Sequence, residues 1–241
     1  MLRHLATASL AVAALSGPVA CASVRLHPPL VEIQDAHQGA TLRITNTGDQ
    51  AIRFQTRVFR WSQAGTQRRE LTDDLIVVPA ITEIRPGATQ VFRIALRRPA
   101  PAPIDRAYRL LLENISPTLP IPGAAVLKLS HDLPVFISTP AAAVRSVGWS
   151  ACDGPGAPAS SGLTECVRLS NRGNKRVRFE TMVMQIGDVR REVKALSMTN
   201  LLADAYLDVR LAEAIDLHSV RRLSLNGTDG ERTDAAPEPA R

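Results

Sequence analysis

Apolar and polar side chains alternate through most of the first half of the chain, and short turn-forming clusters separate the runs. Successive strand side chains point to opposite faces, so a period of two predicts half-buried β-strands rather than helices. Strands are expected at 23–26 and 30–33, parted by Pro28 and Pro29, and then at 41–45 and 51–61. Further strands are expected at 75–78, 90–96 and 108–114. The breaks carry turn chemistry: NTGD at 46–49, QAG at 63–65, and RPG at 85–87, where proline presets φ and glycine accepts a positive φ.

The next stretch, AAVLKLSHDLPVFI at 124–137, carries the most information. Ala125, Leu127, Leu129 and Leu133 fall on one face; Lys128, Ser130 and Asp132 fall on the other with Val126. An apolar face this long needs a partner. That partner is either the chain's own core or a different polypeptide that lacks a strand.

Seven strands at this spacing, with no convincing amphipathic helix, are the pattern of an immunoglobulin-like β-sandwich. Residues 139–148 read as a linker. Beyond them, strands are expected at 164–169, 176–186, 206–211 and 220–225, followed by a polar tail after Asn226 and Gly227. The turns at Asn46 to Gly48 and Asn171 to Gly173 each follow an alternating strand, which suggests related architecture in the two halves. The expected organisation is a leader at 1–22, a first domain at 23–138 and a second β-sandwich domain at 149–241.

Composition narrows the setting. A basic start with Arg3, an apolar run at 5–15 and the A-C-A at 20–22 form a secretory leader, too short to cross a bilayer. Cys21 mimics a lipoprotein attachment cysteine, although Pro18 fits that motif poorly. The expected product is exported, without stable membrane insertion. The net charge of +6 falls to +5 once Arg3 is removed. The cations are spread out, with no dense basic tract or interleaved aromatics, which argues against nucleic acid. Cys152 and Cys166 flank the loop DGPGAPASSG, and in an oxidising compartment two such cysteines usually pair. With no histidine nearby they make a poor zinc site, so no metal is expected. No nucleophile elbow, zinc helix or phosphate loop is present, so neither catalysis nor a cofactor is implied. Asp73 and Asp74 suit a turn better than acid catalysis. His131 and Asp132, adjacent on a strand, face opposite sides and cannot form part of a triad. Trp61 and Phe59 fit packing better than recognition.

An ordered set of short motifs resembles the periplasmic pilus chaperones of the chaperone–usher pathway, best the archaic branch serving Csu-type and spore-coat-U-like pili. The set is VEI at 31–33, LRITNTG at 42–48, VFRWSQ at 58–63, LTDD at 71–74, VP at 78–79, RPG at 85–87, YRLLL at 108–112 and LPVF at 133–136. In the second half only LSNRGN at 169–174 and VRF at 177–179 look typical. The resemblance implies an all-β boomerang of two immunoglobulin-like domains. Its partners would be pilins with an incomplete sandwich and an outer-membrane usher. The donor strand at 124–137 would fill the pilin's gap, with Ala125, Leu127, Leu129 and Leu133 as plugs and His131 on the same face. The same edge can pair two copies of this chain.

Two basic residues hold the pilin's terminal carboxylate in such chaperones. Here the matching positions are Leu30 and Pro134, neither of which binds a carboxylate. Arg109 is the candidate anchor instead, set against its reading as an ordinary surface arginine. A secreted structural or adhesive β-sandwich component of a pilus is the alternative function. It would carry a free donor extension and a domain missing a strand.

Overall fold

The computed structural model describes residues 24–34, 36–117, 128–152, 163–194, 200–227 and 230–238. The first half contains β1 (Val24–His27), β2 (Val31–Ile33), β3 (Gly39–Asn46), β4 (Ile52–Leu71), β5 (Leu75–Val78), β6 (Ile81–Ile84), β7 (Thr89–Leu96), β8 (Arg106–Asn114) and β9 (His131–Ile137). One sheet has the order β1-β3-β7-β5; the other runs β4-β8-β9-β2, with β6 also paired to β4. Alternation decides what each strand buries. Phe92, Ile94 and Leu96 of β7 meet Leu42 and Ile44 of β3 and, from the opposite sheet, Phe54, Leu110, Leu112 and Val135 in one core. Each such side chain, fully buried, contributes roughly 1.5–3 kcal/mol.

β4 is longer than the strand expected at 51–61, because the chain does not stop at Gly65 but folds back. The Thr72 N–H donates to the Val58 carbonyl at 3.0 Å. Residues this far apart in one straight strand would be separated by roughly 45 Å at 3.3 Å per residue. Gly65 lies between them with φ +74°, a conformation that suits glycine. Ala64 and Gly65 then pair in parallel with Tyr206 and Leu207 of the second half.

That second half contains β10 (Val147–Ala151), β11 (Leu163–Asn171), β12 (Val177–Arg178), β13 (Thr181–Ile186), β14 (Val189–Lys194), β15 (Asn200–Leu201), β16 (Ala205–Asp216), β17 (Val220–Asn226) and β18 (Arg232–Pro237). The strands run in the order β14-β13-β17-β18-β10-β11-β16, and a second core gathers Trp149, Val167, Leu169, Phe179, Met182, Leu207 and Leu223. Three expectations need correction. The polar tail contains β18, which pairs antiparallel with β17 and parallel with β10, burying Thr233 and Ala235. The stretch 176–186 is two strands, not one, and β14 was not foreseen. The presumed linker ends early, since β10 begins at Val147.

The two domains do share a corner. Asn46 is fully buried; its Oδ1 accepts from Gly48 N at 3.0 Å, and its Nδ2 donates to the carbonyls of Gln50 and Ile84. Asn171 repeats this, with Oδ1 accepting from Gly173 N at 2.9 Å and Nδ2 donating to Lys175 and Leu202. Cys152 and Cys166 lie together, with Cα atoms 5.6 Å apart.

Candidate functional site

β9 runs antiparallel to β8 along its whole length, from His131 opposite Leu112 to Ile137 opposite Arg106. Its other edge is paired in parallel with β2 only at Val135, Phe136 and Ile137. Among the described residues no strand covers that edge from His131 to Pro134. Pro134 is tolerated here because an edge strand need not donate at every position.

The odd-numbered face changes character along the strand. Leu133 is 4 % exposed, and Val135 and Ile137 are buried beside it in the first core. Leu133 therefore packs within its own domain in the free chain, where β9 is seated over Phe54 and Leu110 at that level. His131 packs edge-on against Phe54 with ring centroids 6.1 Å apart, closing the end of the core, and burial pushes its imidazole below the ordinary value. Leu129 is 46 % exposed. Ala125 and Leu127 lie outside the described residues. β9 begins only at His131, later than the strand expected from 124, so the described residues leave both strand and core between His131 and Leu129.

On the even-numbered face, Phe136 meets the second domain. Phe136 is 2 % exposed and packs with Trp61 and Leu202, against partly buried Leu30, Ala107 and Ala205. Leu30 is thus part of the apolar seam between the domains. Arg109 is not a free anchor. Its Nε donates to Asp132 Oδ1 at 2.9 Å, its Nη2 donates to the Asp132 carbonyl at 3.2 Å, and its guanidinium lies 5.0 Å from the Trp61 ring centroid.

Several residues not singled out from the sequence join the domains. Gln63 spans them twice: its Nε2 donates to the Asn200 carbonyl at 2.8 Å, and its Oε1 accepts from Leu202 N at 2.9 Å. Asp105 accepts from Thr139 N and Arg176 N. Arg176 pairs with Glu32, donates to Asn200 Oδ1 at 2.9 Å and lies 4.0 Å over the Phe136 ring. Burial, then neighbouring Arg178, lowers its pKa. Gln63 stood out only as a polar residue in a strand; Asp105 and Arg176 sit just before β8 and β12, where polarity carries no signal.

Asp74, assigned a turn role, also ties side chains together. It accepts from Arg60 at 2.7 Å and Tyr108 Oη at 3.1 Å, and the Arg60 hydrogen bond holds its carboxyl below the usual value. Burial, and then Asp74, pushes the Tyr108 phenol up to about 12. A cavity of about 600 Å³ opens here between the domains, lined by Trp61, Gln63, Asp105, Tyr108 and Leu202 among others, and no β9 residue reaches it. Among the described residues no cluster of three or more His, Cys, Asp or Glu could hold a metal ion, and no helix is long and apolar enough to cross a membrane.

Residues 23–142 match the family described as pili and flagellar-assembly chaperone, PapD N-terminal domain. The first domain belongs to that family. In fold, solved structures extend the likeness into the second domain, over 88–90 % of this chain. The CsuC–CsuE chaperone–tip adhesion subunit pre-assembly complex of archaic Csu pili from Acinetobacter baumannii aligns with a TM-score of 0.69 at 16 % identity, covering 90 % of this chain and 100 % of the other. The class 5 fimbriae chaperone CfaA gives 0.61 at 12 % identity, covering 90 % and 100 %. The Salmonella enterica SafA pilin–SafB chaperone complex gives 0.57 at 14 %, covering 88 % and 94 %. No curated protein matches by sequence. The architecture is all-β with two immunoglobulin-like domains, and family and fold are those of a non-enzymatic pilus-assembly chaperone.

Proposed function

We propose that this chain is a periplasmic chaperone of the archaic chaperone–usher branch. It binds pilus subunits by donor-strand complementation and hands them to an outer-membrane usher. The observation that carries this reading is an apolar alternation that runs on past both the core and the start of β9. Leu133 is buried, Leu129 on the same face is half exposed, and the edge from His131 to Pro134 has no strand partner among the described residues. An added client strand would gain main-chain hydrogen bonds from that edge, and its groove would take alternate side chains. Leu129, Leu127 and Ala125 are the plugs; Leu133 fixes the register from inside the chaperone. Arg109 contributes the electrostatic pin for the subunit's terminal carboxylate.

The test is co-expression with a pilin from the same gene cluster, followed by purification of a soluble one-to-one complex. The Leu127→Asp/Leu129→Asp double variant should lose the complex while keeping the wild-type melting profile. A pilin still kept soluble by that variant overturns the donor-strand reading.

A further inference from the structure

Met182 and Met184 of β13 and Leu223 and Leu225 of β17 lie in the second core, so alternation turns the residues between and beside them outward. Register sets Gln185 of β13 between Arg190 of β14 and Arg222 of β17, on one row of that outer face. Neighbouring strands lie about 4.8 Å apart, so the two arginine backbones are about 10 Å apart with the Gln185 amide between them. On the next row, Ser224 is 2 % and Val183 7 % exposed although both are on the outer face. Longer side chains around them therefore stand over the sheet. They wall a cavity of about 220 Å³, lined by Gln185, Arg190, Arg222, Ser224 and Arg232 among others. Its charge is unbalanced. Three arginines line it against one acid, Asp188, and that acid sits 4.0 Å from Arg221. Arg232 is engaged already: its Nε donates to Asp234 Oδ1 at 2.9 Å and its Nη2 to Ser224 Oγ at 2.8 Å. Arg190 and Arg222 have no ion-pair partner among the described residues, Glu192 on the neighbouring row included. Two cationic forks and an amide donor thus border one space that supplies them no carboxylate. A carboxylate's two oxygens fill one fork, whereas a tetrahedral oxyanion offers enough oxygens for both.

We propose that Arg190, Gln185 and Arg222 form a binding site for a phosphate group on the outer face of the second domain. Arg232, locked to Asp234 and Ser224, is the fixed wall; Arg190 and Arg222 close on the ligand from either side of β13. A bound phosphate cancels the local surplus of charge. It also ties β14, an edge strand hydrogen-bonded only to β13, to β17 across it. The site is on a different domain from β9, so it uses neither the lent strand nor the subunit's terminus. The phosphate is either free or carried on a lipid headgroup, since both present the same oxygens.

Sodium phosphate, titrated against the labelled full chain at constant ionic strength with sodium chloride as the matched salt, tests the site. The Nε–H signals of Arg190 and Arg222 and the side-chain amide of Gln185 should shift together and saturate, and chloride should leave them in place. Arg190→Gln and Arg222→Gln should each raise the half-point at least fivefold. Arg190→Lys, which keeps the charge and loses the fork, should raise it at least twofold. Arg190 and Arg222 are exposed, so these variants should keep the wild-type melt in the absence of phosphate. Arg210→Gln removes the same charge from an exposed position on β16 and should change the half-point less than twofold. Sodium acetate should need at least fivefold more than phosphate. A response that does not saturate, an equal response to chloride or acetate, or the same loss in Arg210→Gln as in Arg222→Gln overturns the site. Vesicles of phosphatidylcholine with and without phosphatidic acid separate the two sources. Sedimentation with the phosphatidic acid vesicles that fails in the Arg190→Gln/Arg222→Gln double variant assigns the phosphate to a lipid. Saturable binding of inorganic phosphate without sedimentation assigns it to solution.

Discussion

Leu133→Ala and Leu129→Ala form a matched pair, since Leu133 lies inside β9, Leu129 lies two residues before that strand begins, and the two differ in what covers them. Leu133 is 4 % exposed inside the first core, among Phe54, Leu110 and Leu112. Truncating a buried leucine there removes its transfer energy and leaves a cavity, for a loss of about 2–5 kcal/mol. Total stability for such domains is roughly 5–15 kcal/mol, so the first-domain melt should fall by on the order of 10 °C. Leu129 is 46 % exposed, so the free protein should lose much less, about 1 kcal/mol at most. The ranking should reverse for client binding. Burying the exposed half of Leu129 in a subunit groove is worth about 1 kcal/mol, near a fivefold change in dissociation constant. Differential scanning calorimetry and subunit pull-down on the two variants read both quantities. A Leu133→Ala melt within 2 °C or so of wild type would mean that β9 is not a core strand at that level, and the division of its face between core and client would fail.

Two further outcomes are expected. Burial lowers the folded-state pKa of His131 below 6.5, so the unfolded chain takes up the proton first; stability is present above that value and falls as pH drops through it. Urea midpoints at pH 7.5 and 5.5 should differ in the wild type and differ less in His131→Leu; an equal difference in both removes His131 as the cause. Arg176→Ala breaks contacts with Glu32, Asn200 and Phe136, which should loosen the joint by on the order of 1–3 kcal/mol without touching either main core. Small-angle scattering should show a larger radius of gyration and calorimetry a split transition; a profile matching wild type rules out that joint role.

Most first-domain strands were legible because each buries one face, and a half-buried strand writes its period into the sequence. Phe92, Ile94 and Leu96 are the clear case, with all three inside. The polar corner residues Asn46 and Asn171 were legible as turns, although not as buried braces, because bonds from Asn46 to Ile84 and from Asn171 to Leu202 join residues far apart in sequence. β18 was missed because its buried residues, Thr233 and Ala235, are small and alternate with the charged Arg232 and Asp234. At the site, alternation identified the face of β9 but could not locate where the core ends along it. That limit is set by the reach of Phe54 and by β2, both distant in sequence. Arg69 was unreadable for the same reason: it reaches Asp132 only because β4 turns at Gly65.

The turn at Gly65 has a mechanical consequence. Its parallel pairing spans two rungs, Ala64 with Tyr206 and Gly65 with Leu207, and a Cβ on Gly65 would lie 2.9 Å from Asp208 Oδ2 and 3.3 Å from the Tyr206 ring. Asp208 cannot easily yield, because Arg168 grips both its oxygens at 2.7 and 2.9 Å. The hairpin tip therefore works as a shim between the two domains: with Asp208 clamped there is no room at Gly65 for even one added carbon, so any thickening of the tip has to push the second domain away from the first.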